Sequence, residues 1–240
     1  MDIREYSKHF ELESKHFWFK GRRAIISKRL EHIVKNKNIK ILDGGCGTGG
    51  NSSCLADYGI VFGIDNSRVA IQFAKNQNKK LLVSTIEDLP FKRNAFDIIV
   101  LLDVLEHIDL ENPALVTIKK TLKNKGYLII TVPAFNFLWS SHDKASHHKR
   151  RYTYATLKKT LQQAGFRIEK LSYMSFFLFP FICMIRVMRN FCFLKKTTSD
   201  LVPTNNMLNN VLTSLYYIEA WLLGHISFPF GTSLLCIAKK

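Results

Sequence analysis

The feature that most constrains the fold is the short apolar run Ile39–Leu42, which ends directly in Asp-Gly-Gly-Cys-Gly-Thr-Gly at residues 43–49. A stretch compatible with a helix follows at 51–58. An apolar strand that passes through a glycine turn into a helix typically opens a doubly wound α/β fold. The chain is therefore predicted to build a parallel sheet with helices on both faces.

The same alternation of apolar strands and helices continues along the chain. The run at 96–102 is rich in β-branched residues and Leu, as expected for a strand buried on both faces. Further strands are predicted at 60–64, 80–84, 96–102, 126–132, 166–173 and 233–238. Helices are predicted at 51–58, 67–77, 112–123 and 153–164.

The length of 240 residues suits one domain, which we expect to span 1–240. Apolar residues at helical spacing predict an N-terminal helical cap over 1–35. The five cysteines form no CxxC pair and lie in apolar segments, which is typical of reduced thiols in a cytosolic protein. The polar first residues lack the apolar core of a signal peptide, so we expect a protein that is not secreted.

Lys and Arg outnumber Asp and Glu by 35 to 19, which gives a net charge of +16. Such a field attracts polyanions. Charge alone leaves open a nucleic acid, an anionic membrane surface and a phosphorylated substrate.

The glycine turn also constrains the ligand. Gly45, Gly47 and Gly49 stand two residues apart, unlike the G-x-G-x-x-G spacing that brings a pyrophosphate to a helix N-terminus. A ligand without phosphate needs only close backbone approach and a turn that tolerates positive φ. Asp65, at the end of the second strand, is placed to accept both ribose hydroxyls, and Asp88 can accept from an adenine amino group.

Five segments in order, ILDGGCGTGG, GIDNS, EDLPF, FDIIVLLDVLEHI and GYLIITVPA, resemble the class I S-adenosylmethionine-dependent methyltransferases of the type-11 and type-23 groups. The resemblance covers about 39–135. It implies a seven-stranded, mostly parallel Rossmann-like methyltransferase sheet with an antiparallel last strand, and S-adenosylmethionine as cofactor. By position it implies cofactor contacts at Asp43, Gly45, Gly47, Gly49, Asp65, Asn66, Ile86, Glu87, Asp88 and Asp103.

Two histidine groups are candidates for the acceptor side. Glu106-His107 resembles a pair linked to a divalent metal in ubiquinone-pathway relatives, but we interpret it as a helix start under the site and expect no metal. The loop after the fifth strand carries His142, Asp143 and His148, and a histidine beside a carboxylate is a candidate general base.

This loop resembles a bacterial His-Asp-x-x-x-Gly-His-x-Arg-Arg-Tyr signature, in which His147 here replaces the glycine. In that subset a His-x-Trp-Phe-x-x-Arg-Arg element accompanies the signature, and it matches residues 16–23. We expect contacts to the acceptor from Trp18, Arg22, Arg150, Arg151 and Tyr152. The alternative is a solvated basic loop that packs against the N-terminal helices.

Residues 174–230 form a hydrophobic, α-helical insertion before the last strand. Its apolar run Phe176–Ile185 is too short to cross a bilayer, and Pro180 interrupts it. The cations Arg186, Arg189, Lys195 and Lys196 follow. Aromatic residues next to cations are typical of helices that lie in the membrane interface. An ordinary lid or a dimer interface would bury the same surface.

Together these features predict methyl transfer from S-adenosylmethionine to an oxygen of a lipophilic or lipid-linked acceptor, such as a polyprenyl phosphate or a quinone precursor. We expect the protein at the cytosolic face of the membrane, without a nucleic-acid partner. The alternatives are an RNA methyltransferase and a non-catalytic membrane assembly subunit that keeps the fold.

Overall fold

The computed structural model describes residues 3–78, 80–191 and 204–240. A single seven-stranded sheet runs through it in the order β3-β2-β1-β4-β5-β7-β6. Strands β1 to β5 are parallel, and β7 is antiparallel to both β5 and β6. The predicted mostly parallel sheet is therefore confirmed. Its strands are β1 Lys40–Gly44, β2 Ile60–Asp65, β3 Leu81–Val83, β4 Phe96–Leu102, β5 Leu122–Pro133, β6 Arg167–Met174 and β7 Ser233–Lys239.

Helices flank the sheet and follow the predicted alternation. The predicted helix at 67–77 ends early, at Ala74, where a turn follows. Strand β5 begins earlier than predicted, because Leu122 pairs with Phe96 across an irregularity in the ladder. The helices are α1 Ile3–Glu13, α2 Phe17–Ile33, α3 Ser52–Ala56, α4 Arg68–Ala74, α5 Glu111–Thr121, α6 Ser141–Ala145, α7 Tyr154–Gln163, α8 Phe179–Phe191 and α9 Asn206–Leu222.

The core lies along the central strands β1, β4 and β5, whose apolar side chains are fully buried. Burying each Leu, Ile or Val side chain stabilises the fold by roughly 1.5–3 kcal/mol. Because the sheet is rigid at its centre, the loops at the carboxyl ends of these strands start from fixed positions.

Helix α2, near the start of the chain, packs along α9, near its end. A Cβ atom added at Gly21 would lie 2.1 Å from Cγ of Tyr216, so only glycine allows this approach. Asn209 of α9 also accepts a hydrogen bond from the Phe17 N–H (2.8 Å) and donates to the Lys15 carbonyl (2.9 Å). The two ends of the chain thus form one layer at the cofactor side of the sheet.

The insertion leaves two helices with exposed apolar faces. On α8 the exposed side chains Phe181, Met184, Ile185 and Met188 recur at helical spacing, and α9 exposes Met207, Leu208, Val211, Tyr217, Ile218 and Trp221. Within the described ranges, neither of these helices nor any other is long and apolar enough to cross a bilayer. The predicted cations Lys195 and Lys196 lie outside the described residues.

Candidate active site

A cavity of about 700 Å³ opens at the carboxyl ends of β1, β2 and β4, between the N-terminal helices, the loop after β5 and α8. Open parallel sheets bind ligands at this edge. Predicted and unpredicted residues share its wall, which includes Tyr6, His9, Glu13, Trp18, Arg22, Gly45, Gly47, Asp65, Asn66, Ile86, Glu87, Asp103, Glu106, His107, His142, His148, Arg151, Leu178, Ile182 and Tyr216.

The three glycines of the turn have different roles. All three have positive φ, at +70° for Gly45, +54° for Gly47 and +90° for Gly49. A Cβ at Gly47 would meet nothing within 4 Å, so the main chain there is bare toward the cavity. Gly49 lies outside the cavity, and its Cβ would press on Ala74 of α4 at 3.1 Å. Packing between helix and turn is therefore a reason for this glycine, and a cofactor contact at Gly49 remains a prediction.

Asp65 ties the end of β2 to the glycine turn. Its Oδ2 accepts from the Gly47 N–H (2.9 Å) and its Oδ1 accepts from the Ser67 N–H (2.9 Å). Burial raises the pKa of this carboxyl. The side chain lines the cavity beside Asn66, and carboxylate oxygens keep further lone pairs for hydroxyl donors.

Asp43 is buried beneath the turn and does not line the cavity itself. Its Oδ2 has no hydrogen-bond partner among the described residues. Burial raises its pKa to about 7, while the nearby Arg22 charge acts in the opposite direction. An unpaired buried acid at this depth favours a cationic ligand group above it.

Of the three residues predicted to hold the adenine, two line the cavity. Ile86 and Glu87 line the cavity, but Asp88 is exposed and lies outside it. Its main chain is held in a local turn, where its carbonyl accepts from Ser84 Oγ (2.8 Å) and its N–H donates to Thr85 Oγ1 (3.3 Å). The contact of Asp88 with adenine remains a prediction.

The loop after β5 is organised by the buried side chain of Asp143. It accepts from Arg151 Nε (2.7 Å) and Nη2 (3.0 Å), from the Ser140 N–H (2.8 Å), and pairs with His148 Nδ1 at 2.9 Å. These partners hold the pKa of the Asp143 carboxyl well below its usual range. Asp143 does not line the cavity, whereas His148 and His142 do.

The predicted acceptor contacts separate into two groups. Arg151 lines the cavity and is held by Asp143 and by the Ala134 carbonyl, to which Nη1 donates at 2.9 Å. Arg150 pairs with Glu111 at 2.7 Å, and the Tyr152 hydroxyl donates to the same carboxylate. Arg150 and Tyr152 lie outside the cavity, and a contact of either with the acceptor remains a prediction. The two residues brace α5.

Trp18 and Arg22 line the cavity at its cofactor end. The Arg22 guanidinium lies 4.3 Å from the centre of the Trp18 ring and forms an ion pair with Asp103. Asp103 has φ +58° and also accepts from Thr131 Oγ1 at 3.1 Å. This pairing joins the N-terminal cap to the end of β4.

Glu106 is a fully buried acid that faces the same cavity. Neither of its oxygens has a hydrogen-bond partner among the described residues, and burial together with Asp103 raises its pKa well above the usual range. His148 Nε2 lies 3.9 Å from Glu106 Oε1. Ligand atoms of Glu106, His107 and His148 all lie within 4.8 Å of one another, a spacing that a metal ion could bridge. The expectation of no metal remains a prediction.

Several lining residues were missed in the sequence. Tyr6, His9 and Glu13 belong to α1, and Leu178, Ile182 and Tyr216 belong to the insertion. The helical cap and the insertion were predicted, but no local motif indicates which of their faces turns toward the cavity. Only the i, i+3, i+7 spacing of Tyr6, His9 and Glu13 places them on one side of a helix.

A glycine turn flanked by Asp43 and Asp65, on a sheet of this order, defines the class of S-adenosylmethionine-dependent methyltransferase folds. The family model described as a methyltransferase domain matches residues 35–174, more than half of the chain. The chain belongs to this family.

Two curated proteins and one solved structure are among those similar to this chain. An uncharacterized protein of Methanocaldococcus jannaschii is 35% identical over 107 residues, covering 45% of this chain and 46% of that protein. The ubiquinone biosynthesis O-methyltransferase of Rickettsia bellii is 33% identical over 114 residues, covering 45% and 47%. The chain thus spans about half the length of these two relatives. An S-adenosylmethionine-dependent methyltransferase structure from Thermotoga maritima superposes with a TM-score of 0.59 at 16% identity, covering 99% and 96%, and shows the shared fold.

Proposed function

We propose that the protein transfers the methyl group of S-adenosylmethionine to an oxygen atom of a lipophilic acceptor, with His148 as general base. The pairing of His148 with the buried Asp143, at the wall of a cavity that also contains the glycine turn, carries this proposal. The printed function of the Rickettsia bellii relative, an O-methyltransferase of ubiquinone biosynthesis, supports oxygen as the acceptor atom.

The residues present fit the cofactor. The bare main chain at Gly47 leaves room for a ligand, Asp65 offers acceptors for ribose hydroxyls, and the unpaired acid of Asp43 suits an ammonium group. When bound, S-adenosylmethionine supplies an electrophilic methyl carbon on a sulfonium centre. Asp43, Gly45, Gly47, Asp65, Asn66, Ile86, Glu87 and Asp103 would hold it.

His148 is prepared to accept a proton. Its Nδ1 donates to Asp143 Oδ1, which leaves the lone pair of Nε2 free for the acceptor hydroxyl. Arg151 holds Asp143 from behind, so the imidazole ring keeps one orientation. Once His148 carries the proton, the Asp143 charge stabilises the imidazolium. Glu106 Oε1 lies 3.9 Å from Nε2, the nitrogen that takes up the proton. A positioned base of this kind contributes about 10²–10⁴-fold to the rate.

The acceptor side of the cavity has an apolar strip. Leu178, just before α8, and Ile182 and Ile185 of α8 line the cavity, and Ile185 is also exposed on the outside. Such a wall favours an acceptor that carries a hydrocarbon portion and disfavours a small hydrophilic acceptor.

The proposal places the reaction at the inner face of the membrane. The exposed apolar faces of α8 and α9 would insert among the lipids, and the net charge of +16 favours an anionic surface. Ile185 links this outer face to the cavity, so the acceptor would be taken directly from the lipid phase.

The first test is incubation with radiolabelled S-adenosylmethionine and a lipid extract of the source organism. We expect label in the organic phase, a loss of about 10²–10⁴-fold in the rate for His148→Ala, and no loss for His32→Ala, a histidine exposed on the outer part of α2. Label found only in RNA or protein would contradict a lipophilic acceptor, and full turnover by His148→Ala would remove the base.

The membrane part is tested by sedimentation with vesicles of mixed anionic and zwitterionic phospholipids. We expect binding that the double variant Phe181→Ser, Trp221→Ser abolishes. The control Ile60→Thr changes another exposed apolar residue, at the start of β2 and the opposite end of the sheet, and should bind as the wild type does. A stable dimer that ignores vesicles would mean that these faces meet a second copy instead.

A further inference from the structure

Helix α1 is attached to the rest of the protein differently from α2. Helix α2 buries Phe19, Ile25, Ile26 and Leu30. Among the described side chains of α1, at 6–13, the only buried one is the charged Glu13. Segments with few buried apolar contacts are the ones that open locally at low free-energy cost. Ring contacts of Phe10 with Phe73 and of His9 with Phe19 hold part of α1, and Glu13 adds its buried polar contact.

Glu13 joins α1 to the glycine turn. Its Oε2 accepts from Thr48 Oγ1 at 2.5 Å and its Oε1 accepts from Gln77 Nε2 at 2.7 Å. A Cβ at Gly50 would lie 2.3 Å from Glu13 Oε2, so the carboxylate sits directly on the turn. Hydrogen bonds to a charged group are stronger than neutral ones, and they are lost together when the helix lifts.

The same face of α1 forms part of the cavity wall. Tyr6, His9 and Glu13 all line the cavity. Burial raises the pKa of the Tyr6 phenol and the nearby Asp65 acts in the same direction, while Ser67 lowers it. Burial also keeps His9 neutral by lowering its pKa to about 4. Helix α1 thus covers the end of the cavity where Asp65 and Asn66 lie.

We infer that α1 is a lid over the nucleoside end of the cofactor site, that Glu13 is the latch that closes it, and that Tyr6 contacts the bound nucleoside. The hinge is the turn at Ser14 and Lys15, because α2 beyond it is held by α9 through Asn209. The inference rests on the proposed use of S-adenosylmethionine.

The latch makes a distinctive kinetic prediction. The bonds of Glu13 hold α1 against the glycine turn, so the cofactor must wait for the lid to open both on its way in and on its way out. Weakening the latch should therefore raise the association and dissociation rates together and leave the affinity nearly unchanged. Loss of a cofactor contact would raise only the dissociation rate.

The test measures both rates for S-adenosylhomocysteine by stopped-flow fluorescence and the affinity by calorimetry. For Glu13→Gln we expect both rates to rise about tenfold with a dissociation constant within about threefold of the wild type. Gln77→Ala, an exposed residue outside the cavity, should raise both rates by about threefold without endangering the fold. Glu11→Gln, an exposed acid on the same helix, is the matched control and should change neither rate.

Tyr6→Ala should raise the dissociation rate alone and weaken affinity by about tenfold. In the wild type, S-adenosylhomocysteine should slow amide hydrogen exchange in 3–13 more than in α2. Rates for Glu13→Gln and Gln77→Ala equal to those of Glu11→Gln, or unchanged exchange in α1, would overturn the lid. Absence of any binding by the wild type would instead contradict the proposed function.

Discussion

The cofactor half and the acceptor half of the cavity are built on different principles. The cofactor half uses main-chain conformation and a few acids between Asp43 and Glu87, all close in the chain. The acceptor half depends on a buried network around Asp143 and on an insertion that packs against the opposite end of the chain. The first kind of site leaves a local pattern in the sequence, and the second leaves only residue types.

The largest effect is expected when Asp143, the centre of the acceptor network, is replaced. Asp143→Ala leaves Arg151 charged and buried without its partner, so we expect a loss of about 3–5 kcal/mol in the free energy of unfolding. Urea titration measures it. Asp109→Ala, which removes an exposed acid paired with Lys149, is the control and should cost less than about 1 kcal/mol. Equal losses of unfolding free energy in Asp143→Ala and Asp109→Ala would mean that the Asp143 network stabilises the fold no more than an exposed ion pair does.

On the cofactor side the expected effect is on binding. Asp65→Asn removes the charge that accepts from Gly47 and Ser67 and would face the ribose, so S-adenosylhomocysteine should bind about 100-fold more weakly, or about 2.7 kcal/mol. Asp88→Asn should remain within about twofold of the wild type, because Asp88 is exposed outside the cavity. Calorimetry decides between them. A large effect of Asp88→Asn would instead support the adenine contact predicted from the sequence.

A pH series tests how the insertion is attached. Glu219 of α9 accepts from the N–H groups of Ser175 (2.5 Å) and Phe176 (3.0 Å), and burial raises its pKa to about 7 from an ordinary value of 4.5. The folded state thus holds this proton more tightly than the unfolded state. Relative to Glu219→Gln, the wild type should lose on the order of 2 kcal/mol in unfolding free energy between pH 5 and pH 8. Parallel pH profiles in urea titrations would refute this.

The smallest expected effect concerns a single backbone angle in the acceptor loop. His147 has φ +57° at the position where the similar signature has glycine, and the side chain is exposed. His147→Gly should therefore raise the unfolding free energy by up to about 1 kcal/mol, since it relieves a left-handed conformation. The neighbouring Ser146 has φ −82°, and Ser146→Gly should lower it by about 0.5–1 kcal/mol. Thermal unfolding of His147→Gly and Ser146→Gly tests whether the two substitutions change the stability in opposite directions.

Much of the fold could be predicted because each strand and helix has its own periodic pattern. The seven strands, the glycine turn and Asp65 all follow from patterns that extend over a few residues. The sequence did not show which side chains pair across the fold. Arg150 and Tyr152 share the motif of Arg151, yet they turn to Glu111, about 40 residues away in the chain.

The sequence by itself determined the doubly wound sheet, the cofactor turn and the presence of a histidine and acid pair, because backbone conformation and hydrophobic period are local properties. The tertiary structure alone decided that Asp143 stands behind His148, that Arg22 meets Asp103 and that Glu13 closes α1 onto the glycine turn. These pairings depend on how packed elements face one another, and burial then gives them their strength by excluding water from the charges.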